Sequence, residues 1–225
     1  MEKDSSLDLN NRILQQNSRG GLALLLLIVL LSSPLCYGDA RKIGVTASVS
    51  GEVTVTDQGT SRVLEDGMPL FADGLVKASA GSSAELVFLD QSRIRLGSDS
   101  ELVLDSFIYN PESQSGIVVT DYLKGVFRWV SGILPSTSYH MTTPVASISV
   151  RGTTLELLIA DITGATLAKV EFGEVWLKND TGFAQLDVDQ SVGRALTEIT
   201  SVETQNQLPS IAAAALKEGL DKPAS

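Results

Sequence analysis

Residues 139–160 read YHMTTPVASISVRGTTLELLIA, and their pattern sets the fold class. Tyr139–Thr143, Ala146–Val150 and Thr154–Ala160 are short runs rich in β-branched and aromatic residues. Pro144 separates the first two, and Arg151-Gly152-Thr153 separates the last two. Strand-length runs cut by Gly and Pro are the mark of an all-β chain. In Tyr139-His140-Met141 the alternation puts His140 on the face opposite Tyr139 and Met141.

The same punctuation extends outward in both directions. Gly51, Gly59, Gly67, Gly74 and Gly81 recur every seven or eight residues. Between and beyond them lie Glu52–Thr56, Leu75–Lys77, Ala84–Leu89, Arg93–Leu96 and Glu101–Leu104. Arg93-Ile94-Arg95-Leu96 alternates charge with apolar side chains, so Ile94 and Leu96 should face inward. Asn110–Gly116 and Ser131–Ser138 read as surface loops. Strand runs resume at Ile117–Thr120, Gly125–Val130, Thr166–Phe172 and Glu174–Lys178, with weaker ones at Leu186–Val188 and Arg194–Leu196. The architecture expected is all-β: short strands with Gly turns in a β-sandwich or a β-solenoid-like domain. A short carboxy-terminal helix is expected over Ile211–Gly219, where Pro209-Ser210 starts it and Gly219 stops it.

The amino terminus reads as a targeting segment. Residues 20–38 carry no charge, and Leu22–Leu31 is an unbroken apolar run preceded by Arg12 and Arg19. That run is shorter than the ~20 residues of a membrane-spanning helix. With Cys36 and Gly38 as small residues near the exit, it fits a secretory signal cleaved between Gly38 and Asp39. The alternative is an uncleaved anchor spanning Gly20–Gly38, giving a single-pass inner-membrane protein with its domain outside. The division expected is thus 1–38 signal peptide or anchor, 39–200 β domain, and 201–225 polar linker and short helix. Either way the β domain is placed in the periplasm or beyond.

Charge and composition narrow the function. The chain has 225 residues and a formal net charge of −10, with one His and one Cys. Lys3, Arg12 and Arg19 balance Glu2, Asp4 and Asp8, so the acidity belongs to the β domain. Nucleic acid is disfavoured as a partner, because phosphates require clustered basic residues. The only Cys lies within the signal, leaving the cleaved chain no thiol chemistry. No phosphate-cradling loop and no nucleophile elbow is present. No catalytic residue, metal site or cofactor is expected.

The order of these pieces resembles the FecR domain, known from iron-siderophore regulators and from other exported bacterial proteins. Gly51-Glu52-Val53 matches its opening. Leu64, Gly67, Leu70, Gly74, Ala78, Gly81, Ser83 and Ala84 match the next stretch, although Asp73-Gly74 departs from the usual Gly-Asp order. Leu86–Asp90, Ile94 and Leu96 match a hairpin in which Gln91 stands where the family has Gly. Leu123–Phe127 matches a further piece. Thr142-Thr143-Pro144 followed by Val150-Arg151-Gly152-Thr153 matches the most distinctive line, and Val170–Val175, with Gly173, the last. The resemblance spans about Ala47 to Thr197. It implies a non-enzymatic interaction module of the cell envelope, its partner a protein or a cell-wall glycan. A membrane-anchored signalling regulator is the alternative. The full iron-signalling regulators carry a cytoplasmic helical domain and a further receptor-signal domain. The stretches before residue 20 and beyond Thr197 are expected to be too short for either.

Candidate contact residues are Arg128, Trp129 and Arg151. Arg128-Trp129 leads into a loop and could meet a sugar ring or a protein, although Phe127 and Trp129 share a face and a core role is the expectation for at least one of Trp129 and Trp176. Arg151 could grip an acidic partner or a sugar, or pair with a neighbouring carboxylate at a strand end turned by Gly152. His140 reads as a solvent-facing strand residue. Asp99/Glu101 and Asp187/Asp189 read as solvated strand faces.

Overall fold

The alternation along Arg93–Leu96 is realised in the computed structural model: Ile94 and Leu96 are fully buried and both arginines lie on the opposite face. The structure describes residues 41–187, the backbone of 192–195 and 202–205, and residues 214, 215 and 217. The strands are β1 (Lys42–Ser50), β2 (Val53–Asp57), β3 (Thr60–Val63), β4 (Pro69–Phe71) and β5 (Gly74–Ala78). There follow β6 (Ser83–Phe88), β7 (Arg93–Leu96), β8 (Glu101–Asn110), β9 (Ser115–Val130) and β10 (Tyr139–Thr143). The last are β11 (Ala146–Ile159), β12 (Thr166–Lys178), β13 (Phe183–Leu186), β14 (Val192–Ala195) and β15 (Val202–Gln205).

All belong to one 15-stranded sheet, which folds back on itself because β9, β11 and β12 each serve two layers. The first half of β9 pairs with β8 and β10, and its second half with β7 and β11. The first half of β11 pairs with β10 and the end of β12, its second half with the end of β9 and the start of β12. One layer therefore runs β3-β2-β5-β8-β9-β10-β11-β12-β13, the other β4-β1-β6-β7-β9-β11-β12-β14-β15. The pairing of β9 with β10 is parallel, which makes the sheet mixed.

Each long strand changes layer at or near a glycine with positive φ: Gly125 in β9, Gly152 in β11 and Gly173 in β12. The sequence reading broke the chain at all three glycines. The structure instead keeps the strands continuous, because a bulge interrupts the ladder by a residue or two without ending it.

The two faces of the second layer show what the register selects. Leu86, Ile94, Trp129, Leu155 and Val170 lie directly opposite one another across five strands, and all are buried. One residue over, Glu85, Arg95, Arg128, Glu156 and Lys169 form a matching row on the outside. A slip of one residue would exchange these rows and bury five charges, so the register is strongly fixed. Ring contacts tie the layers together: Phe88 stacks on Phe107 at 5.6 Å, Tyr122 meets Phe127 edge-on at 4.9 Å and Trp129 meets Tyr139 at 5.3 Å. Such pairs add ~0.5–1.5 kcal/mol each beyond the area they bury.

The targeting segment lies outside the described residues. So does the expected helix, apart from Ala214, Ala215 and Lys217, which are helical. Strand β15 lies beyond the expected domain boundary at residue 200 and pairs with β14. No helix among the described residues is long and apolar enough to cross a membrane.

Candidate recognition face

Arg151-Gly152-Thr153 is not a strand end. It is a bulge in the middle of β11, between the paired positions Arg151–Glu174 and Thr154–Phe172. The backbone groups freed by the bulge find side-chain partners. The Thr153 hydroxyl donates to the Glu174 carbonyl (2.9 Å) and accepts from the Arg151 amide (3.0 Å). The Thr153 amide donates to Ser131 Oγ (3.1 Å), and the Ser131 amide donates back to the Thr153 carbonyl (2.9 Å). Buried backbone groups must be paired, and Thr153 does this from inside the fold. The motif's Thr is thus a structural plug, and its Gly permits the bulge.

The bulge aims Arg151 outward. Its guanidinium donates to Glu174 Oε2 (3.3 Å) and lies 5.6 Å from the ring centre of Trp176. The Arg151 side chain is 67% exposed, so the ion pair itself contributes little. The contact with Trp176 adds about 0.5–1 kcal/mol and fixes the arginine's direction.

The outer face of the first layer extends from this point. Ser149, Trp176 and Gln185 lie side by side on β11, β12 and β13. The next row runs Asp121, Thr142, Ser147, Lys178, Phe183. Ser147, Ser149, Lys178, Phe183 and Gln185 are exposed, and Trp176 is half-buried. His140 is exposed while Tyr139 and Met141 are buried, as the alternation requires.

At one end of the face the hairpin Thr142–Ser147 and the strand end Lys178–Asp180 enclose a cleft of about 280 Å³. Its shape is held by hydroxyls. Thr142 Oγ1 donates to Asp121 Oδ1. Thr143 Oγ1 accepts from the Ala146 amide (3.1 Å) and from the Thr166 hydroxyl (2.8 Å). Asn179 Oδ1 accepts from the amides of Thr181 (3.0 Å) and Gly182 (2.9 Å), which fixes the opposite wall. Lys178 and Asp180 form no ion pair with a described residue.

The three contact candidates are not brought together. Arg151 lies on this face. Trp129 is 0% exposed and is no contact: it is the core residue that the face shared with Phe127 implied, its ring packing on Tyr139 and its Nε1 donating to Ser131 Oγ (3.2 Å). Arg128 lies on the outside of the other layer, engaged by Glu156 (3.3 Å) and Glu171 (2.5 Å). Lys169 bridges the same two carboxylates at 2.8 and 3.6 Å. Partial burial opposes the Lys169 charge, but Glu156 and Glu171 outweigh it and hold its pKa above the ordinary value. Burial likewise opposes ionisation of Glu171, while Arg128 and Lys169 pull its pKa down.

Among the motif residues, Gly51 and Gly67 occupy turns at positive φ, and Pro144 sits at the rim of the cleft. Asp99 lies in a turn, whereas Glu101 is in β8, paired with Lys77 and Lys124. They do not share a strand face. Lys178, Ser149 and Gln185 were missed by the sequence reading. Ser149 stands two residues before Arg151 on β11, so alternation alone would have placed it on the same face, whereas Gln185 and Lys178 join that face only through the register with Trp176 and Ser147.

The fold and this face define an all-β domain whose polar outer face carries a cleft of about 280 Å³ at one end. Residues 75–176, from β5 to the end of β12, match the family model described as FecR protein. Over this stretch, a little under half of its length, the chain is similar to that family. Two crystal structures of a protein provisionally described as an anti-sigma factor, from Parabacteroides distasonis ATCC 8503, are similar to it. Their identities are 12% and 13% and their TM-scores 0.47 and 0.48, each covering 64% of this chain and 64% of the other. No curated protein matches the sequence.

Proposed function

We propose that this chain is a FecR-type recognition module of the bacterial cell envelope. It binds a partner through the outer face of β10–β13 and carries out no bond chemistry. The observation that supports this reading is the β11 bulge. A distinctive sequence motif spends its conformationally unusual residue on projecting Arg151 over Trp176 at one end of a polar face, and bulges commonly re-aim side chains in this way. A sheet face of this kind recognises by shape and hydrogen bonding.

Two experiments test it. The full chain, used as bait on solubilised envelope fractions, should capture a discrete partner. The Arg151→Glu variant should lose at least tenfold of that capture while losing only about 1 kcal/mol of stability, the Trp176 contact and the exposed pair with Glu174. Equal capture by both would overturn the placement of the site. Amino-terminal sequencing of the mature protein should read from Asp39. A chain retained in the membrane with residues 1–38 intact would support a membrane-anchored signalling regulator instead.

A further inference from the structure

We infer that the cleft at the β10–β11 hairpin is a carbohydrate subsite that takes one sugar ring of a neutral glycan, with the next ring lying on Phe183. The inference rests on the recognition reading and names the class of ligand. The cleft, at about 280 Å³, is just below the ~300–1,000 Å³ of ordinary small-molecule pockets. It suits one compact polar unit and not a folded surface.

Its chemistry is selective. Lys178 and Asp180 stand at one mouth with opposite charges, and neither is neutralised by a described residue. A sugar hydroxyl both donates and accepts, so neighbouring hydroxyls of one ring can accept from the ammonium and donate to the carboxylate together. Both bonds are charge-assisted and hence among the stronger ones available. A simple anion would satisfy Lys178 and be repelled by Asp180. Ser147 adds a further exposed hydroxyl.

Directly across from Lys178, on β13, is Phe183, 60% exposed. An exposed aromatic plate beside a polar cleft suits a sugar ring, whose C–H face is apolar and whose edge is polar. The surroundings point the same way. Buried interface cores between proteins are depleted in Ser, Lys and Asp, which are the residues that line this mouth.

The test uses the purified full chain and isothermal titration calorimetry with chitotetraose, cellotetraose and maltotetraose as neutral probes and tetragalacturonate as the acidic one. At least one neutral tetrasaccharide should bind. Lys178→Ala and Phe183→Ala should each weaken its Kd tenfold or more, and Arg93→Ala, on the other layer, should leave it unchanged. The inference is overturned if no neutral probe binds at millimolar concentration, if only tetragalacturonate binds, or if both substitutions leave binding intact. Should saccharides fail while Lys178→Ala abolishes capture of a protein partner, the glycan is wrong and the recognition reading stands. Loss of both signals sinks the two together.

Discussion

Gly173 packs against the backbone of Gly152: a β-carbon on Gly173 would come within 2.3 Å of the Gly152 carbonyl oxygen. The two glycines shape one bulge from opposite strands, yet their requirements differ. Gly173, at φ +84, has neither room nor permitted conformation for a side chain. Gly152, at φ +54, has open space and only the conformational demand. Gly173→Ala should therefore cost about 3 kcal/mol, combining overpacking with left-handed strain. Gly152→Ala should cost about 1 kcal/mol. Urea unfolding of the two variants measures the difference, and equal costs would contradict this geometry.

Gln91 occupies the turn between β6 and β7 at φ +68, a conformation unfavourable to a residue with a β-carbon. The family resemblance places Gly at this position, and the geometry explains why. Gln91→Gly should raise stability by about 0.5–1 kcal/mol, the relief of strain exceeding the added freedom of the unfolded chain. A midpoint shifted to lower denaturant would contradict this.

Asp90 is fully buried and serves as an acceptor hub. Oδ1 accepts from the Ser92 amide (3.1 Å) and hydroxyl (2.6 Å), and Oδ2 accepts from the Tyr139 hydroxyl (2.8 Å). Burial first, and then the Asp90 carboxylate, push the Tyr139 phenol to a high pKa, so it remains a donor. Asp90→Ala should cost about 3 kcal/mol or more because it strands several buried donors. Tyr139→Phe should cost less, about 1–2 kcal/mol, although it leaves part of the carboxylate unsatisfied. A double-mutant cycle should show strong coupling, and additive effects would exclude the hub.

The Arg128–Glu156–Lys169–Glu171 network sets a pH profile. The pKa of Glu171 is lowered from 4.5 in the folded chain, so its contribution is present above 4.5 and is lost as pH falls through the lowered value. The pKa of Lys169 is raised from 10.5, so its contribution is present below 10.5 and is lost as pH rises through the raised value. Stability from this network should be flat near neutrality and decline at both extremes. Glu171→Gln should flatten the acid limb, measured as denaturation midpoint against pH. An unchanged acid limb would show that Glu171 contributes nothing.

The inward and outward faces of the fold were legible in the sequence wherever alternation was clean. Ile94 and Leu96 point in, His140 points out, and the core row through Trp129 follows the same rule. Strand continuity was not legible at Gly125, Gly152 and Gly173, since a glycine at positive φ serves equally to end a strand or to bulge it. Strand β1 was missed because Lys42–Ser50 lacks a sustained apolar run, and its pairing with β6 and β4 decides its state. At the candidate site, Arg151 stood out through its motif. Ser149 follows from alternation along the same strand, but Lys178 and Phe183 owe their place on that face to cross-strand register, which a single strand's pattern does not encode.

Photo-crosslinking in intact cells tests the central claim most directly. A photoreactive residue replaces Ser149 on the Arg151 face, or Arg95 on the charged face of the other layer. The account predicts a discrete, reproducible adduct from position 149 and none from position 95. Adducts from position 95 alone, or from neither position, would contradict it.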